Sequence, residues 1–167
     1  MKIRLYINSK SFFWKLIQVK QGWLLEMSLR YSRITHVEIE FSDGMSFSSS
    51  EQDGGVRFKK IEYKPENWEF IEIPVTEVEE NKIRKWCESK TNNAYNWWGI
   101  FFAMGINFFY TKNDDYFCSQ IVTRALQQVW MCADLCSLMT TPGQLAKYLE
   151  DQWYPMITKN IYDSSKE

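Results

Sequence analysis

The chain has 167 residues, which suits one compact domain, and a hydrophobic fraction of 45% with 17% aromatic residues can fill its core. Lys and Arg number 20 against 21 Asp and Glu, so a net charge of -1 provides no basic field and nucleic acid is not an expected partner. Residues 1–18 lack the apolar core and cleavage site of a secretory signal, which predicts a cytoplasmic protein with free thiols.

Strands are predicted from the N-terminus to Pro74. Residues 2–7 alternate apolar and polar side chains as a half-buried strand does, whereas residues 11–31 have a spacing closer to that of a helix. Four further alternating stretches, separated by turn residues, lie at 35–41, 45–50, 56–63 and 68–74. We therefore expect residues 1–34 to form a strand and a helical segment, and residues 35–74 to form an antiparallel meander.

Helices are predicted over residues 76–153. Thr76 can cap a helix with an acidic first turn that ends near Lys90. Residues 118–130 place their apolar side chains on one helix face, and another short helix follows Thr141 and Pro142. With a polar tail at 160–167, residues 1–167 are predicted to form a single α+β domain in which an antiparallel sheet packs against helices.

The most apolar stretch of the chain covers residues 95–110. It is shorter than the roughly 20 residues that span a bilayer, and two asparagines and two glycines interrupt it. No transmembrane segment is therefore expected. Core packing is the favoured interpretation of this stretch, and an acyl-chain groove or a peripheral membrane contact is the alternative.

Cys118 stands in the first turn of a predicted helix. Unpaired backbone N–H groups and the positive end of the helix dipole favour a thiolate there. The same N–H groups can hold the oxyanion that forms when a thiolate attacks a carbonyl. Cys118 is therefore the candidate nucleophile for acyl chemistry.

His36 is the single histidine of the chain, so any chemistry that needs a histidine must use it. An imidazole can take the thiol proton and later protonate a leaving group, provided that a third group orients the ring. Glu38 lies on the same strand face and is the first choice for that group, with Ser48 or Ser50 across the hairpin as alternatives. Taken singly, such a histidine or cysteine is more often a packing residue.

No metal or other cofactor is expected. Cys132 and Cys136 flank Asp134, but no histidine or second cysteine pair accompanies them as a structural zinc site would require. The glycines at 54 and 55 lack the Lys-Ser/Thr of a phosphate-binding loop and are interpreted as a turn.

Several short motifs, in their order along residues 31–150, resemble the circularly permuted branch of the NlpC-type papain-like superfamily, which includes YiiX-like and lecithin:retinol acyltransferase-like proteins. The motifs are HVEI at 36–39, GVR at 55–57, YNWWG at 95–99, FCSQ at 117–120 and TPGQL at 141–145. The residue patterns of HVEI and of the DGGVR turn are similar to versions found in bacteriophages. The resemblance therefore implies a papain-like fold and a viral source, with the protein in the host cytoplasm or the virion.

The resemblance also implies roles for individual residues. Cys118 would be the nucleophile and His36 its base, while Tyr95, Ser119 and Gln120 would line the site or assist the oxyanion. The chain departs from the family pattern at Asn96, where an aspartate is common, and at Gln120, where a glutamate is frequent. Relatives differ in their third catalytic group, so the resemblance does not assign it.

The expected function is a cysteine hydrolase or acyltransferase that cuts an amide, ester or thioester bond in a peptide or an acyl lipid. The alternative is a viral structural or host-interaction protein that keeps the scaffold without catalysis.

Overall fold

The computed structural model describes residues 1–7, 31, 33–95, 116–152 and 156–157. The helical segment predicted at 11–31 lies outside these ranges except for Tyr31, and the apolar stretch at 95–110 lies outside them except for Tyr95. The polar tail predicted at 160–167 lies wholly outside them.

Six strands form one antiparallel sheet in the described part of the chain. The strands are β1 (Lys2–Ile7), β2 (Ile34–Glu40), β3 (Met45–Ser50), β4 (Gly55–Lys60), β5 (Trp68–Glu72) and β6 (Met156–Ile157). The strands predicted at 2–7 and 45–50 are confirmed, and those predicted at 56–63 and 68–74 end earlier, at Lys60 and Glu72. The two-residue strand β6 had no signal in the sequence.

The strand order is β4-β3-β2-β1-β5-β6. The meander predicted for residues 35–74 is confirmed for β2, β3 and β4, but it is wrong for β5, which pairs with β1 on the far side of β2. The N-terminal strand β1 pairs with β2 along one edge and with β5 along the other, because its alternating Ile3 and Leu5 fit the buried sheet face. Between β4 and β5 the chain must therefore pass β3, β2 and β1 to reach the other edge of β1.

Between β5 and β6 the described residues form three helices: α1 (Glu77–Lys90), α2 (Cys118–Gln127) and α3 (Pro142–Gln152). The predicted cap of α1 is confirmed: the Thr76 hydroxyl accepts a hydrogen bond from the Glu79 N–H at 3.3 Å, and the Glu79 carboxylate accepts one from the Thr76 N–H at 2.8 Å. The helix predicted at 118–130 ends earlier, at Gln127. There the Gln127 side-chain amide donates to the Cys132 and Leu135 carbonyls, at 3.0 and 2.9 Å, and turns the chain away.

The core lies between one face of the sheet and the helices. The sheet contributes alternate aliphatic side chains such as Ile3, Val37 and Ile39, and the helices contribute apolar stripes that include Ile121 and Leu145. Helix α2 packs on β2 and β3, and α3 packs on β2 and β5. The start of α2 is thereby held beside β2, where the histidine lies. None of the helices in the described ranges is long and apolar enough to cross a membrane.

Candidate active site

Cys118 is the first residue of α2 and is 2% exposed. The residue before it, Phe117, has the extended backbone of an N-cap but no side-chain acceptor, so it makes no side-chain cap bond to the first turn. Helix α1, in contrast, has a complete capping box at its start. The first-turn N–H groups of α2 have no intrahelical partners and can serve as oxyanion donors beside the sulfur.

The side chains of Ser119 and Gln120, predicted to line the site, are buried and bond to backbone groups. The Ser119 hydroxyl donates to the Thr140 carbonyl at 2.7 Å, which ties α2 to the chain just before α3. The Gln120 side-chain oxygen accepts from the Phe117 N–H at 3.4 Å, at the start of its own helix. In this arrangement both side chains anchor α2, and their contribution to an oxyanion site would come from backbone N–H groups.

His36 lies on β2, and Cys118 is the neighbour that most strongly favours the charged form of its ring. Burial lowers the pKa of His36, but the hydrogen bond and negative charge of Cys118, together with those of Glu38, outweigh it and raise the pKa from 6.5 to about 10. The imidazole therefore holds its proton at neutral pH.

Glu38 bonds the other side of the ring, since the distance between His36 Nε2 and Glu38 Oε1 is 3.0 Å. That bond leaves Nδ1 as the ring nitrogen available to Cys118. The Glu38 side chain is 2% exposed. Its burial raises its pKa, but the bonds and charges of His36 and Arg57 outweigh burial, and the net effect lowers the pKa of Glu38.

Among the three side chains predicted as possible orienters, the structure brings Glu38 to the ring. The Ser48 hydroxyl donates instead to the Val37 carbonyl at 2.7 Å and is fully buried. Ser50 lies at the end of β3, in the wall of a neighbouring cleft. The alternation along β2 explains this choice, because positions 36 and 38 project from the same sheet face.

Arg57 and Asp53 are functional-site neighbours that the sequence analysis did not select. Arg57 donates two hydrogen bonds to the Glu38 carboxylate, at 2.8 and 3.2 Å, and a third to Asp53 at 2.8 Å. A register signal was present in the sequence: the two predicted hairpin turns place position 57 opposite 48, on the strand next to β2. The turn and strand predicted for this segment assigned no partner to either side chain.

Tyr95 reaches the site through a backbone pairing outside the main strands. Asn93 and Ala94 run along the start of β4, where the Val56 N–H donates to the Asn93 carbonyl at 2.9 Å, and Tyr95 then bridges Tyr116. Burial raises the pKa of Tyr95, and so does the negative charge of Cys118. Tyr95 therefore lies within electrostatic reach of Cys118, and its phenol stays protonated at neutral pH.

A cleft of about 580 Å³ opens beside the histidine. His36 and Tyr95, both neighbours of Cys118, form part of its wall, and so do the aromatic rings of Tyr6 and Trp68. The Trp68 ring meets the His36 ring edge-on, with centroids 6.2 Å apart. A substrate in this cleft would lie against the imidazole, and the described residues that line the cleft do not include Cys118.

The comparisons with known proteins return nothing: no family model, no curated protein and no solved structure matches the chain. Within the described ranges, His, Cys, Asp and Glu side chains also form no group of three that could hold a metal ion. The chemistry of the site must therefore be inferred from Cys118, His36, Glu38 and their surroundings.

Proposed function

We propose that this protein is a cysteine-dependent hydrolase or acyltransferase with a permuted papain-like fold. One observation supports this above all: the single histidine of the chain lies beside a cysteine at a helix start and hydrogen-bonds a buried carboxylate at 3.0 Å. A nucleophile, a base and an orienting group in that order form the arrangement that activates a thiol. A histidine kept only for packing would not need both partners.

The proposed reaction begins with a thiolate–imidazolium pair at Cys118 and His36. The sulfur attacks the carbonyl carbon of an amide, ester or thioester, and the carbonyl electron pair moves to the oxygen, which first-turn N–H groups of α2 hold. The tetrahedral intermediate then collapses to an acyl-cysteine while His36 gives its proton to the departing group. His36 next takes a proton from water or another acceptor, which attacks the acyl group and releases Cys118.

Glu38 would stabilise the charged form of the ring and fix its orientation during both steps. Its ionised carboxylate faces Nε2, so Nδ1 is the nitrogen that exchanges a proton with the sulfur and the substrate. Tyr95, which is protonated and within electrostatic reach of Cys118, is a candidate second donor to the oxyanion.

The papain-like assignment rests on the motif resemblance together with the α+β architecture, in which an antiparallel sheet packs against the cysteine helix. The resemblance also favours a bacteriophage source and a peptide or acyl-lipid substrate. The alternative, a non-catalytic viral structural or host-interaction protein on the same scaffold, makes opposite predictions for thiol reactivity.

Iodoacetamide alkylation with intact-mass readout and peptide mapping tests the proposal. Cys136 is the exposed competitor, so the experiment uses Cys136→Ser as the parent. Burial raises the pKa of Cys87 and raises that of Cys132 to about 12, so both should react slowly. We expect Cys118 to react first.

His36→Ala in the same parent should slow alkylation of Cys118 about tenfold or more at pH 7, because an unassisted thiol is only a few per cent ionised there. His36→Gln provides a second variant with a polar side chain of similar reach. Alkylation spread evenly over the thiols, or a Cys118 rate that does not depend on His36, would contradict the proposal and favour the non-catalytic alternative.

A further inference from the structure

We propose that Arg57 is a positioning residue that fixes the Glu38 carboxylate in the orientation that bonds His36. This inference rests on the proposed function, since positioning matters only if the imidazole does chemistry. Arg57 has no role among the site residues predicted from the sequence. A continuous set of side-chain hydrogen bonds runs from His36 and Glu38 on β2 to Arg57 on β4 and on to Asp53.

Arg57 contacts the Glu38 carboxylate at two points. Arg57 Nη2 donates to Glu38 Oε1 at 2.8 Å and Nη1 donates to Oε2 at 3.2 Å, so each carboxylate oxygen has its own donor. Two parallel bonds from a planar guanidinium set the plane of the carboxylate as well as its place. The oxygen Oε1 is thereby directed at His36 Nε2, 3.0 Å away.

The Arg57 side chain crosses a neighbouring strand to reach Glu38. Arg57 is on β4 and Glu38 is on β2, so the guanidinium must reach across β3. The β3 residue paired with Arg57 is Ser48, whose small side chain turns down to the Val37 carbonyl. The sheet surface is therefore open at the crossing point, and a larger residue at 48 would block it.

Arg57 is itself held in place by Asp53. Its Nε donates to Asp53 Oδ2 at 2.8 Å, and the other Asp53 oxygen accepts from Lys59 Nζ at 2.8 Å. All three nitrogens of the guanidinium are thus bonded to carboxylates, and the side chain is 14% exposed. An arginine that only balanced surface charge would not be enclosed in this way.

The charge balance explains why Glu38 needs such a partner. A carboxylate that is 2% exposed tends to take up a proton, and a protonated Glu38 would no longer stabilise a charged imidazole. Among the described residues, the groups that face Glu38 are His36 on its own strand, Arg57 on β4 and Tyr63 after β4, with Tyr63 Oη 3.5 Å from Glu38 Oε2. Arg4 on β1 pairs instead with Glu40, at 2.5 Å.

The test is the titration of the Glu38 carboxyl by ¹³C NMR in Arg57→Gln. Removing a neighbouring arginine should raise the pKa of Glu38 by about 1 to 3 units. The pH below which Cys118 alkylation slows should rise together with the pKa of Glu38. Arg57→Lys keeps the charge but not the two-point contact, so we expect a smaller shift of the Glu38 titration together with slower Cys118 alkylation. Asp53→Asn should move both readouts in the same direction, less than Arg57→Gln does.

Arg84 provides the matched control. It is also partly buried, at 23% exposed, pairs with Asp43 at 2.8 Å and stacks on the Phe41 ring, away from the histidine. Arg84→Gln should leave both the Glu38 titration and the alkylation profile unchanged. If Arg57→Gln fails to fold, the Glu38 titration and the Cys118 alkylation profile of Arg57→Lys and Asp53→Asn provide the test.

An unchanged Glu38 titration in a folded Arg57 variant, or an equal shift in Arg84→Gln, would overturn the inference. The Glu38 titration does not depend on thiol reactivity. Its outcome therefore stays separate from failure of the proposed function, which would appear as slow or His36-independent alkylation of Cys118 in the parent protein.

Discussion

Gly55 and Asn93 approach so closely that a side chain cannot fit between them. A Cβ atom on Gly55 would lie 2.2 Å from the Asn93 carbonyl oxygen, and Gly55 has a φ of +147°, where side chains are rarely accepted. This contact seats residues 93–95 along the start of β4 and carries Tyr95 toward Cys118. The DGG turn thus shapes the site as well as the hairpin.

Gly55→Ala should therefore lower the free energy of unfolding by about 2 to 4 kcal/mol, the combined effect of backbone strain and a clash with fixed main chain. The nearby Gly54→Ala is the control, because Gly54 has a φ of +79° but no atom within 4 Å of the added Cβ. It should lose only about 1 to 2 kcal/mol. Urea denaturation measures both variants, and equal losses would contradict a role for the Asn93 contact.

The His36 ring should titrate near pH 10, far above its usual 6.5. Because the chain has one histidine, its ring ¹⁵N signals are assigned without further variants. Cys118→Ala should bring the pKa of His36 down, since the hydrogen bond and charge of Cys118 are the largest influences that raise it. Cys132→Ala serves as the control and should leave the titration in place. A wild-type ring that titrates near 6.5 would show that Cys118 and Glu38 do not act on it as described.

The stability of the fold should depend on Glu38 in acid. The folded state lowers the pKa of Glu38 below 4.5, so the folded protein binds fewer protons than the unfolded chain in that range. The stabilisation is complete above pH 4.5 and is lost as the pH falls through the folded pKa.

Glu38→Gln should lose about 3 to 5 kcal/mol at pH 7, because Arg57 and His36 would keep their buried charges without a counter-charge. The difference from the wild type should narrow as the pH falls below 4.5. Thermal melts across this range measure the effect, with the exposed Glu66→Gln as control. A constant difference at all pH values would argue that Glu38 is not ionised in the folded protein.

The hydroxyls of Ser48 and Ser119 should matter for stability and little for thiol reactivity. Each is buried and donates to a main-chain carbonyl, of Val37 and Thr140 respectively. Ser48→Ala and Ser119→Ala should each lose about 1 to 3 kcal/mol, because a buried carbonyl is left without its donor. The alkylation rate of Cys118 in the folded fraction should stay within about twofold of the parent. A larger drop in Ser48→Ala would restore Ser48 as a candidate orienter.

Local patterns in the sequence were sufficient for most of the secondary structure. Alternation predicted β1 and β3, the glycine turns predicted both hairpins, and the Thr76 box predicted the start of α1. These features depend on neighbours a few residues apart, so the sequence pattern predicts them directly. The end of α2 was wrong by three residues, because it depends on how Gln127 bonds to carbonyls beyond the helix.

The position of β5 could not be read from its own residues. A strand with one buried face fits beside β4 or beside β1 equally well, and only the competition among all strands decides which edge it joins.

The sequence by itself determined that Cys118 begins a helix and that His36 and Glu38 share a strand face. The tertiary structure alone decided that Cys118 and His36 meet, that Glu38 is buried, and that Arg57 reaches Glu38 across Ser48. The physical reason is the separation along the chain of the residues that determine each feature. Helix starts and strand faces follow from periodicity, whereas burial and charge pairing follow from strand order, which brings together residues far apart in the chain.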